Sequence, residues 1–124
     1  AAFPVQALDF ERLFSPGELI EGHRKLEGDC KQCHVRLRDV SENQLCRDCH
    51  EEVDDDIKRK KGFHGKHPKA GSEDCKTCHT DHKGRDADIV NLDRDRFDHA
   101  QTDFRLTGKH RVVNCDSCHK PEKK

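Results

Sequence analysis

The chain has 124 residues, of which 40% are charged and 31% hydrophobic, with no Trp, Tyr or Met. That is one domain by length, yet with too little apolar side chain to offset chain entropy, so an ordinary side-chain core is excluded. The 24 basic and 25 acidic side chains nearly cancel. No basic excess exists to hold nucleic acid, and no stretch is long and apolar enough for a membrane span.

The N-terminal Ala1-Ala2-Phe3-Pro4-Val5 lacks the charged and apolar regions of a signal peptide and looks like the remainder after cleavage at a small residue. Residues 1–14 read as an apolar extension (Phe3, Val5, Leu8, Phe10, Leu13, Phe14), with a short helix expected over Leu8 to Phe14; residues 15–124 read as a single domain. Ser15-Pro16-Gly17-Glu18 has the pattern of a helix start: a capping Ser, Pro in the first turn and Glu three on. The helix expected there sets Leu19, His23 and Leu26 on one face, with Ile20 beside them.

Val35 to Leu45 has little helical periodicity and reads as loop. A second helix is expected from His50 to Lys61, stopping before Gly62. It carries Glu51, Glu52, Asp54, Asp55 and Asp56 running into Lys58, Arg59, Lys60 and Lys61. The plain reading of that run is a solvated helix face with i,i+4 pairs; the functional alternative is a docking patch that steers a redox partner. Gly65 to Asp74, with Pro68 and Gly71, reads as loop. Lys83 to Asp98 is polar and turn-rich, interrupted by Ile89, Val90 and Leu92, and strand signal is confined to Arg111 to Val113. The fold class expected is mainly α with much irregular loop.

All eight cysteines fall in one repeated pentapeptide: Cys30-Lys-Gln-Cys33-His34, Cys46-Arg-Asp-Cys49-His50, Cys75-Lys-Thr-Cys78-His79 and Cys115-Asp-Ser-Cys118-His119. Cys-x-x-Cys alone is equally at home in a zinc ribbon, but zinc places no demand on the next residue, and here it is His every time. A disulfide across three positions closes too small a loop to constrain much. Cys-x-x-Cys-His is the attachment signature of heme c, in which the two thiols add to the vinyl groups and the imidazole takes the iron. Four motifs imply four covalent hemes c, which then form the core that the composition lacks. Covalent attachment of this kind implies a periplasmic address, or an extracellular one, with the signal peptide already removed.

Six histidines lie outside the motifs: His23, His64, His67, His82, His99 and His110. With no methionine in the chain, His/Met ligation within one chain is impossible, and two histidines per iron is the expectation at most sites. His110 (in Gly-Lys-His-Arg-Val-Val-Asn-Cys), His99 behind Phe97, His23 on its helix face, His64 and His82 are the candidate sixth ligands. His67 ranks last, because Pro68 stiffens its approach. The segments Phe63-His64-Gly65-Lys66-His67 and Phe97-Asp98-His99…Gly108-Lys109-His110 echo one another upstream of the third and fourth motifs.

With those segments and the four motifs, residues 15–120 resemble the class III, cytochrome c3-like family of low-potential multiheme cytochromes. The resemblance implies a small multiheme fold in which a phenylalanine-led pair of histidines precedes a heme site. It implies further that His99 serves the heme on Cys115 and Cys118, and His110 an upstream heme. The chain departs from the small four-heme members in lacking a Cys-His-His site, in the longer separation of His99 from His110, and in its N-terminal extension.

Irons closed on both sides pass electrons but offer no place for substrate, so the expectation is an electron carrier and not an enzyme. Its partners would be redox proteins: a quinol-oxidising membrane cytochrome or dehydrogenase on one side, a terminal reductase on the other. A self-assembling cytochrome filament is the structural alternative to a monomer, with the apolar N-terminal segment as its assembly surface. A multiheme reductase with one open iron is the enzymatic one.

Overall fold

A turn of α-helix places residues i, i+3 and i+4 on one face, and each Cys-x-x-Cys-His motif makes that turn. In the computed structural model, the N–H of the motif histidine donates to the carbonyl of the first cysteine in all four: His34 to Cys30 at 2.8 Å, His50 to Cys46 at 2.9 Å, His79 to Cys75 at 2.9 Å, and His119 to Cys115 at 2.8 Å. The structure describes residues 14–35 and 40–120. The expected helix over Leu8 to Phe14 and the apolar extension, Phe14 apart, lie outside them.

The architecture is short helices joined by irregular loop, with no strand among the described residues. The α-helices are α1 (Glu42–Cys49), α2 (Glu51–Arg59), α3 (Gly62–Lys66), α4 (Cys75–Cys78) and α5 (Cys115–Cys118), with 3-10 turns at Glu21–Leu26, Cys30–Gln32, His99–Gln101 and Gly108–Val112. Among the described residues Leu19 is the one hydrophobic side chain that is buried. The described side chains do not make a core of their own, in keeping with the composition.

The described chain falls into two compact units. The first runs up to His50 and takes in Asp74–Asn91. Here the helix expected after Ser15 does not form: Ser15 Oγ donates to the carbonyl of Gly17 at 2.9 Å, and helical turns begin only at Glu21. Partners outside the local turn take the backbone N–H groups that a helix start would have used. Leu19 N–H donates to Glu27 Oε2 (3.2 Å), Ile20 N–H to Asp81 Oδ1 (2.8 Å) and Glu21 N–H to the carbonyl of Arg85 (3.1 Å). Arg85 ties the same stretch from the other side through Leu19 O and the Glu27 carboxylate.

Helix α1 begins inside the stretch read as loop. Ser41 accepts from the N–H of Gln44 at 3.2 Å, the first half of a capping box that Ser41-x-x-Gln44 spells out. Its first turn then caps another helix: Asn43 Oδ1 accepts from Cys75 N–H at 2.9 Å, and Glu42 holds Lys76 Nζ at 3.0 Å.

The second unit comprises Glu51–Glu73 and the residues from Leu92 on. Helix α2 matches the second expected helix, and its charge run is a solvated face with Asp54–Lys58 and Asp55–Arg59 paired at i,i+4. Acidic residues fill its first turn and basic ones its last, the arrangement the helix dipole favours. Against α2 packs α3, which occupies residues partly read as loop. A Cβ on Gly65 would stand 2.2 Å from the carbonyl oxygen of Asp56, so this approach requires glycine. Asp103 then clamps α3, accepting from Gly62 N–H at 2.8 Å and pairing with Lys66 Nζ at 3.1 Å. These two donors hold its carboxyl below the usual range. The strand expected over Arg111 to Val113 is instead a 3-10 turn ending at Val112.

Candidate heme-binding site

Three motif histidines face a second imidazole. In the first unit the ring centres of His23 and His50 are 6.0 Å apart, with planes at 65°. Those of His34 and His82 are 6.2 Å apart and nearly parallel, at 16°. In the second unit His99 and His119 are 6.1 Å apart at 38°. Two imidazoles that bind one metal from opposite sides through nitrogens about 2 Å away have ring centres roughly 6.3 Å apart. The residues present therefore fit an iron held between each pair.

The tautomers fit as well. A ligating Nε2 needs a free lone pair, which requires the proton on Nδ1 and an acceptor facing it. His23 Nδ1 lies 2.7 Å from Asp81 Oδ2, His34 Nδ1 3.2 Å from Glu42 Oε1, His79 Nδ1 2.8 Å from the carbonyl of Ile89, and His82 Nδ1 2.9 Å from the carbonyl of Gly17. His67 is the reverse case. Lys69 N–H donates to its Nδ1 at 3.2 Å, which puts the proton on Nε2 and removes the lone pair a metal needs. Its last place among the sequence candidates thus has a second physical reason besides Pro68.

The second unit lines up its rings: Phe63 lies tilted against His67 at 5.1 Å and against Phe97 at 5.7 Å, and Phe97 meets His99 edge-on at 5.1 Å. The two phenylalanine-led echoes of the sequence thus meet through their phenylalanines. His64 sits edge-on to Phe63 at 5.7 Å, and His110 is exposed on the 3-10 turn Gly108–Val112.

None of the eight cysteines is in a disulfide. Burial pushes the thiols of Cys33 and Cys46 upward, that of Cys46 to about 11 with Cys75 beside it. Among the described residues no three Cys, His, Asp or Glu side chains converge on a metal-sized site, as a zinc ribbon would require.

The residues that hold the imidazoles were not visible in the sequence. Asp81 is 58 positions from His23. Burial opposes its ionisation, but hydrogen bonds from His23, Ile20 N–H and His82 N–H outweigh it and leave the carboxyl below the usual range. Glu42 is likewise lowered, first by Lys76 and then by His34. His82 adopts a left-handed backbone, φ 66°, rare for a residue with a Cβ. It is held there by Asp81 Oδ1 on its N–H at 2.7 Å and by the close approach of Gly17, where a Cβ would meet the His82 carbonyl at 2.4 Å.

Four copies of one thiol–thiol–imidazole turn on a helical, nearly coreless scaffold define a multiheme c-type cytochrome. A family model for cytochrome c3 matches residues 22–92, more than half of the chain and three of the four motifs. The chain belongs to the cytochrome c3 family. No curated protein and no solved structure matches it.

Proposed function

We propose that this member of the family is a low-potential tetraheme electron carrier of class III type, working outside the cytoplasm between redox protein partners. The observation that carries this reading is the facing of imidazoles in pairs at 6.0, 6.2 and 6.1 Å, each well placed to close an iron on both sides. When bound, each heme supplies a one-electron iron couple. The chain's part is to hold the two ligands of each iron in fixed positions, so that an electron arrives and leaves with little rearrangement and no substrate finds an open position. In this reading His34 pairs with His82, His50 with His23, and His119 with His99; His79 is the fourth proximal ligand, and His64 and His110 are the unassigned distal candidates. Absence of methionine keeps every pair bis-histidine and the potentials low.

The test is the visible spectrum of the purified protein, oxidised and then dithionite-reduced, before and after carbon monoxide, with a pyridine hemochrome count. Four hemes per chain, low-spin and indifferent to the gas, are expected. A carbon monoxide shift would reveal an open iron and favour a reductase; absence of a Soret band would return the zinc reading.

A further inference from the structure

The acceptors behind the imidazoles differ in kind. His79 and His82 face neutral carbonyls. His34 faces Glu42, but at 3.2 Å, on a ring 56% exposed, and with the carboxylate already engaged by Lys76 at 3.0 Å. His23 alone among these four faces a half-buried carboxylate with no cation on it: Asp81 Oδ2 lies 2.7 Å from Nδ1, with the two side chains 29% and 17% exposed. Its other oxygen is fixed by the N–H groups of Ile20 (2.8 Å) and His82 (2.7 Å).

A carboxylate accepting the Nδ1 proton makes the imidazole a stronger donor, and its negative charge favours the more positive oxidation state of the metal behind the ring. The shielding that water would give is reduced where the groups are half-buried. We infer that Asp81 is a positioning residue that lowers the reduction potential of the iron held between His23 and His50, the one on the Cys46–Cys49 motif, relative to its neighbours. Asp81 also fixes the backbone of His82, the proposed ligand of the iron on the Cys30–Cys33 motif. One carboxylate thereby orients ligands of two irons: it meets a ring nitrogen directly only at His23, and its charge reaches the other site more weakly, at Cys33. This rests on the bis-histidine reading above.

Asp81→Asn is nearly isosteric. It keeps an oxygen for the N–H groups of Ile20 and His82 and replaces the acceptor at His23 with an amide nitrogen that cannot accept. The measurement is a redox titration resolved heme by heme by NMR, with the spectrum and carbon monoxide response recorded first. In Asp81→Asn the heme on Cys46 and Cys49 moves most, its equilibrium shifting about tenfold toward the reduced state, a rise of about 59 mV for one electron, and the heme on Cys30 and Cys33 follows by less. Glu42→Gln, where Lys76 already offsets the charge, shifts its heme several-fold less.

Four unchanged potentials, or four that move together, overturn the assignment to Asp81 while an intact low-spin spectrum leaves the bis-histidine reading standing. A carbon monoxide response in the unaltered protein would overturn that reading instead. Should Asp81→Asn not fold, the reduced, diamagnetic wild type decides: the Nδ1 proton of His23 is expected farther downfield and slower to exchange than that of His82. Equal shifts for the two would sink the inference.

Discussion

At the scale of the residue, the direction of one hydrogen bond distinguishes an imidazole whose Nε2 is free to bind a metal from one whose Nε2 carries the proton. His23, His34, His79 and His82 each turn Nδ1 to an oxygen, whereas the Nδ1 of His67 receives the N–H of Lys69. His67→Ala is therefore expected to leave every iron six-coordinate and indifferent to carbon monoxide. His23→Ala should open one iron of four to the gas. A carbon monoxide spectrum of His67→Ala showing one converted heme would contradict the tautomer argument. The sequence ranked these histidines by neighbours such as Pro68, but a tautomer depends on what stands behind the ring, and for His23 and His82 those groups lie 58 and 65 positions along the chain.

At the scale of the element, the fold is made of pieces too short to be stable alone, and each leans on a specific contact. Helix α3 spans five residues and is held by its packing on α2 and by Asp103. Gly65→Ala forces a Cβ to within 2.2 Å of a backbone oxygen, a clash that no side-chain rotation relieves. The expected cost is about 1–3 kcal/mol, read as a lower denaturation midpoint of the holoprotein. Gly71→Ala is the control. Its Cβ would meet only Ile57 at 3.6 Å, an ordinary contact, and the midpoint should barely move. Equal effects at both sites would mean that the α2–α3 approach is not what constrains Gly65.

At the scale of the whole molecule, stability has to come from what is attached to the chain. Leu19 is the single buried hydrophobic residue among those described, and Phe104, Val90 and Val112 are 69%, 63% and 86% exposed. Bonds to a cofactor stand in for a core, as they do in small metal-stapled domains. The heme-free chain is expected to be largely unfolded, with far-UV circular dichroism of a disordered polypeptide and no cooperative melt. A cooperative, native-like transition without heme would refute this. The apolar N-terminal segment that suggested filament assembly lies outside the described residues, apart from Phe14, which is 78% exposed.

The sequence by itself determined the chemistry: eight cysteines in four identical motifs, an adjacent imidazole each time, and no methionine to compete for iron. It also determined the helical class and helix α2, because charge order and spacing act within one turn or the next. The capping pattern at Ser41 was legible too, though the polar run around it hid the helix that follows. Tertiary structure decided the rest. Ser15-Pro16-Gly17-Glu18 has a helix-start pattern, yet Glu27, Asp81 and Arg85 supply partners for the next N–H groups, and a local preference of about 1 kcal/mol yields to three bonds, two of them from more than 60 positions away. The imidazoles that pair come from separate stretches of the chain, and the carboxylate behind His23 lies 58 positions from it. Periodicity reports neighbours along the chain, and those contacts exist only once the chain has folded around its sites.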